Sequence, residues 1–137
     1  MSAWGAKTFD NDEAVEFLET FEDQPRFSLL RSAIENVITD DFIEIDSAQQ
    51  AIAALEIIAV IKGNVDASFP GFETLDLDTV QETFEDRVNS DFIQMCDDAL
   101  ETLCRNEDNE LYEYFEEENE LEAFIDSINQ LKERVLE

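Results

Sequence analysis

Histidine is absent from these 137 residues, and positive charge is scarce: 8 Lys plus Arg stand against 36 Asp plus Glu, a formal net charge of −28. Without histidine there is no Ser–His or Cys–His pair, and the commonest metal ligand is missing. So few bases leave nothing to hold a phosphate backbone or an anionic bilayer, which a chain this acidic repels. Direct nucleic-acid and membrane binding are therefore not expected. Three glycines supply no Gly-rich phosphate loop. The two cysteines, Cys96 and Cys104, fall eight positions apart in a helical pattern. That spacing sets them about 12 Å apart, beyond disulfide reach, as for buried free thiols in a reducing cytoplasm. Asp10, Asp12 and Glu13 occupy the place where a secretory leader needs a basic and then apolar run. The longest apolar stretch, Ala51–Ile61, is interrupted by Glu56 and is about half the length that spans a bilayer. A cytoplasmic location is expected.

Apolar residues are not lacking. They make up 44% of the chain and include eleven Phe, too many for a chain that stays unfolded. The acids are distributed rather than gathered in a tail, with seven between Lys7 and Arg26 and ten between Arg105 and Lys132. They alternate with apolar positions at helical spacing. In residues 11–23 Ala14, Phe17, Leu18 and Phe21 fall on one face and Asp12, Glu16, Glu19 and Asp23 on another. Asp10 with Glu13 reads as a capping box. Pro25 opens a second helix that ends before Asp40–Asp41, and Phe42–Ile45 reads as a short extended piece. Ser47 with Gln50 opens a third helix, apolar on nearly every side, which Gly63 closes; such a helix belongs at the centre of a bundle.

Residues 64–75 form the one long loop, with Phe69 and Phe72 tucked onto the core. Leu77 to Leu103 carries an apolar stripe that is one helix or two joined near Asn89–Ser90. Leu111 and Phe115 start another, and Asn119 with Glu122 reads as the cap of the last helix, which carries Leu121, Phe124, Ile125, Ile128, Leu131 and Val135. The expected fold is all-α, a single-domain bundle of five to seven helices spanning residues 1–137.

Chemistry is poorly supported. With so many carboxylates, some pair reaches a glycosidase-like separation by chance. Asp10–Glu13, Asp76–Asp78 and Glu107–Glu110 offer oxygen ligands, but none has the alternating acids, central Gly and terminal Glu of a calcium loop. No catalytic residue, metal or cofactor is expected.

The most specific element is the opening Trp4-Gly5-Ala-Lys-Thr-Phe9-Asp10-Asn11-Asp12. Physically, Trp4 and Phe9 clamp the chain onto the bundle, Gly5 permits a turn and Asp10 caps the first helix. This W-G-x-x-x-F-x-N-D pattern resembles the opening of the bacterial family catalogued as domain of unknown function 4259. Asp41–Asp46 with the Ala-rich helix to Gly63 is similar to that family's linker and central helix, and Asn109–Glu117 to its last section. The likeness covers nearly the whole chain, although Leu75–Met95 is longer than is usual there. It implies a small helical cytoplasmic protein, for some members one acting as an immunity protein beside a toxin gene, and brings no catalytic residues.

The remaining signal is acidic. Residues 106–122 hold nine acids, no base, and the aromatics Tyr112, Tyr114 and Phe115. An aromatic anchor inside an electronegative rim suits a basic protein partner, since the ring supplies buried area and the charges speed encounter. The expected partner-binding residues are Tyr112, Glu113, Tyr114, Glu116, Glu117 and Glu118, and the expected role is that of a non-catalytic inhibitor or immunity factor for a toxin or nuclease domain. Two alternatives remain open: a DNA mimic occupying a nucleic-acid channel, and an ordinary helical protein whose acidity is an adaptation to high salt.

Overall fold

The computed structural model describes residues 5–67, 69–72 and 74–137. Trp4 and the ring of Phe72 lie outside what it describes. Seven α-helices follow one another: α1 (Asp12–Asp23), α2 (Phe27–Thr39), α3 (Ile45–Ile61), α4 (Leu77–Phe84), α5 (Ser90–Leu103), α6 (Glu110–Glu117) and α7 (Leu121–Leu136). The fold is an all-α bundle with no strands among the described residues.

Helix α3 is its axis. Ala51 to Ile61 is buried at every position, and α1, α2, α4, α6 and α7 pack around it. The outer helices each bury one stripe and turn their acids outward, as the periodicity requires. Phenylalanine fills the space between them. Phe27 meets Phe92 at 4.8 Å and Phe84 at 6.0 Å, and Phe115 stacks on Phe124 at 4.8 Å. Each fully buried ring contributes roughly 1.5–3 kcal/mol. Arg87 lies 4.8 Å over the Phe27 ring, one of the few cations here used as a lid on the core.

The helix ends show where local pattern and tertiary structure part. Gly63 takes φ +85° and closes α3 as expected, with Gly63 N–H donating to Val60 O and Asn64 N–H to Ala59 O. The stripe from Leu77 to Leu103 is two helices, broken by a 3₁₀ turn at Glu85–Arg87 and restarted by Asn89, whose side chain accepts from Phe92 N–H.

Three expected caps and one expected extended segment are corrected. Asn11, not Asp10, caps α1, accepting from Ala14 N–H at 2.7 Å. Helix α3 begins at Ile45 rather than Ser47, because Glu110 reaches across to accept from Ile45 N–H at 2.7 Å. Asn119 does not cap α7. It adopts φ +59° and terminates α6, with Glu120 N–H donating to Phe115 O. In Phe42–Ile45 only Ile43 makes a strand-like pairing, with the Asp108–Glu110 backbone, Glu44 is extended and Ile45 already begins α3; Phe42 itself stays 46% exposed.

Cys96 and Cys104 are free. Burial pushes the Cys96 thiol up to about 12 and the Cys104 thiol upward as well, so Cys96 stays protonated and unreactive at neutral pH.

Candidate functional site

The six expected partner-binding residues come together on and just after α6. Glu113, Glu116, Glu117 and Glu118 are exposed, while Tyr112 and Tyr114 are half-buried. Tyr114 sets its ring edge-on against Phe115 at 5.1 Å, so part of it serves the core. Leu111 and Phe115 hold the helix against the bundle. Asn109 fixes its start: fully buried, it accepts from Tyr112 N–H and donates to Leu103 O and Arg105 O at the end of α5.

The opening motif builds a second site. Its described residues fold into a network. Asp10 accepts from Lys7 N–H and donates its own N–H to Lys7 O, closing a turn on itself. Gly5 leaves room for that carboxylate: a Cβ there would lie 2.3 Å from Asp10 Oδ2. The demand is for space, not for a left-handed backbone. Asn11 caps α1 with its oxygen and donates its amide N–H to Thr8 O at 3.1 Å. Asp12 is exposed in the first turn of α1, where its charge suits the helix dipole. Phe9 packs on Phe69 at 5.8 Å, edge to face.

Thr8 connects this network to the axis of the bundle. Its hydroxyl donates to Glu56 Oε2 at 2.8 Å, and the Arg134 guanidinium bonds Glu56 Oε1. Glu56 is only 3% exposed in a helix otherwise apolar at its centre. An unpaired carboxylate there would cost several kcal/mol, and Thr8 and Arg134 offset that cost. Sequence reading saw Glu56 as an interruption of an apolar run. The partners that give it a role lie 48 and 78 positions away.

Glu56 and Arg134 open onto a cleft of about 640 Å³, within the usual range for small-molecule sites. One wall is a stripe of α7: Glu120, Ala123, Ser127, Gln130 and Arg134, at spacings of three and four. Residues 6–10 form the facing wall, and Asp66, Phe69 and Pro70 close one end. The cleft exists because Ala123 and Ser127 are small where a bundle helix could carry bulk.

Behind residues 6–8 lies an inner cavity of about 10 Å³, bordered by Gln49, Phe115 and Phe124. That is room for one water-sized group. Gln49 is 2% exposed, and neither atom of its amide has a hydrogen-bond partner among the described residues. Replacing both halves of an unsatisfied amide with methyls removes a desolvation penalty of about 1–3 kcal/mol. Gln49→Leu is therefore expected to leave stability unchanged or raise it by about 1 kcal/mol in thermal unfolding; a clear loss would mean that the amide is bonded in solution.

Among the described residues no group of three Cys, Asp or Glu converges as a metal site would require, and no described helix is long and apolar enough to cross a membrane. The acidic stretches weighed as oxygen ligands work at helix starts instead: Asn11 caps α1, Asp76 caps α4 and Asn109 caps α6. Hydrogen bonds from the Thr79 backbone and side chain hold the Asp76 carboxyl below its ordinary value.

Residues 2–127 match the family described as Domain of unknown function (DUF4259). The chain belongs to this family. The matched DUF4259 span includes α6, the opening segment, Glu56 and the α7 stripe as far as Ser127, while Gln130 and Arg134 fall beyond it. No curated protein and no solved structure matches the chain.

Proposed function

We propose that this DUF4259 protein is a non-catalytic, immunity-type inhibitor that neutralises a basic protein partner, such as a toxin or nuclease domain. The observation that carries the reading is the outward projection of Glu113, Glu116, Glu117 and Glu118 around two half-buried tyrosines on a helix whose own cap is rigidly held. Nucleic-acid enzymes present positive clefts, and an electronegative helix meets such a cleft with complementary potential. The tyrosines supply apolar contact area at small entropic cost, while the glutamates steer encounter. No group on this surface has to perform chemistry.

The test is binding to a basic toxin or nuclease domain captured with this protein from its native host. Affinity should fall steeply between about 0.05 and 0.2 M salt. Glu113→Lys, Glu116→Lys and Glu117→Lys together should weaken it by at least about a hundredfold, some 2.7 kcal/mol, mostly through slower association. An undiminished affinity in the triple variant removes this surface from the reading. Competition with duplex DNA separates a mimic, which the duplex displaces, from simple acidic complementarity.

A further inference from the structure

The cleft between α7 and residues 6–10 has a chemistry of its own. Five carboxylates border it, from Asp10, Glu56, Asp66, Glu120 and Asp126, against two bases, Lys7 and Arg134. Arg134 is already committed to Glu56. Glu120 and Asp126 are exposed on the rim, and their carboxylates have no hydrogen bond or ion pair among the described residues. The net excess of three negative charges lies within the field of a chain at −28, so an anion is repelled and a cation drawn in.

The acids are too dispersed for a single metal ion, since no three of them converge among the described residues. They suit a larger cation whose donors spread over several acceptors. The remaining wall fits the rest of such a molecule. Phe9, Phe69, Pro70 and Ala123 give it apolar surface for an alkyl stem, with aromatic rings favourable to a neighbouring cation. Ser127 Oγ and Gln130 Oε1 add neutral acceptors. A smaller adjoining pocket shares Ala6, Lys7, Thr8 and Ser127 with the cleft, and the unpartnered Gln49 amide borders that pocket rather than the cleft.

We infer that this cleft is a binding site for an alkyl cation with a guanidinium or primary ammonium head, carried by a free metabolite or by a side chain of a protein. Its stem lies along Phe9 and Ala123, and its head is held by Asp126 and Glu120 at the rim. The Glu56–Arg134 pair forms the floor and fixes α7 relative to the opening segment, so the width of the cleft is set before a ligand arrives. The site is separate from the α6 surface and does not depend on the inhibitor reading.

Titration of the folded chain with agmatine at about 0.15 M ionic strength, followed by amide chemical shifts, tests this. The expected result is saturable binding at one equivalent, with shifts confined to residues 6–10 and the first half of α7. Ala123→Trp, at an exposed position, should abolish it without altering the remaining spectrum. Glu120→Gln with Asp126→Asn should raise Kd about tenfold. The Glu113/Glu116/Glu117 charge-reversal variant should bind agmatine as the native protein does, which keeps this test distinct from that of the partner surface. A capped arginine peptide that binds equally well identifies a protein side chain as a ligand source; binding of agmatine alone identifies a free metabolite. Non-saturating shifts spread over all helices and unchanged by Ala123→Trp would mean counter-ion condensation, and would overturn the site.

Discussion

Arg134→Ala should cost about 3–5 kcal/mol of stability, far more than removal of an ordinary half-exposed arginine. The reason is what it leaves behind. Glu56 is 3% exposed on the central helix, and among the described residues its ion pair is with Arg134. Without the guanidinium, its charge stays buried with the Thr8 hydroxyl as its remaining bonded partner. The reverse change is milder. Glu56→Gln keeps an acceptor for Thr8 and releases Arg134, which borders an open cleft and can be hydrated there; about 1–2 kcal/mol is expected. The double variant Glu56→Leu, Arg134→Met should recover most of the loss, because a buried pair replaced by apolar residues of similar volume is often neutral. Urea unfolding of the native protein and the three variants measures each loss. Equal losses for Arg134→Ala and Glu56→Gln would show that the pair is solvated rather than buried.

The second large effect is expected at Asn109. Its oxygen caps α6 by accepting from Tyr112 N–H at 3.2 Å, and its amide N–H groups donate to Leu103 O at 2.9 Å and Arg105 O at 3.0 Å. One side chain thus finishes α5 and begins α6, at a position with no solvent exposure. Asn109→Asp keeps the size and the cap, and a negative charge suits a helix N-terminus. It nevertheless removes both donors and sets a carboxylate against two carbonyl oxygens. A loss of about 2–4 kcal/mol at neutral pH follows from leaving those acceptors unsatisfied beside a buried charge.

The pH dependence has a definite sign. Burial and the facing carbonyls favour the protonated acid in the folded state, raising its pKa above the unfolded value of about 3.9. The folded variant therefore binds more protons, and its deficit grows as pH rises above that value and shrinks on acidification. The difference from the native protein, taken at each pH by chemical denaturation, removes the contribution of the other carboxylates. A variant as stable as the native protein at neutral pH would mean that the amide donors are dispensable.

How much was legible in the sequence follows from the range of the interactions involved. The stripes of α1, α2 and α7 and the uniformly apolar α3 are local periodicities, and they place most of the core, although Ile38, in phase on α2, is 39% exposed and Leu121 and Ile125 on α7 are half-buried. Gly63 was readable for the same reason, since its left-handed backbone is a property of one residue at the end of one helix. Caps were less legible. Asp10, Asn11 and Asp12 are all good cap residues, and the choice fell to Asn11 because only an amide can accept from Ala14 N–H while donating to Thr8 O. The start of α3 was displaced to Ile45 by Glu110, 65 positions away, which no local pattern contains.

The sequence by itself determined an acidic, histidine-free helical bundle with α3 at its axis, because burial of apolar stripes is dictated by spacing along the chain. It also marked the α6 glutamates, whose exposure follows from the positions of Leu111 and Phe115. Only the tertiary structure decided that Glu56 pairs with Arg134, that Gln49 borders a small pocket without a hydrogen-bond partner, and that the small residues of α7 face the opening segment across a cleft. Those features depend on segments far apart in sequence meeting at hydrogen-bond distance, and a pairing of that kind has no period to read.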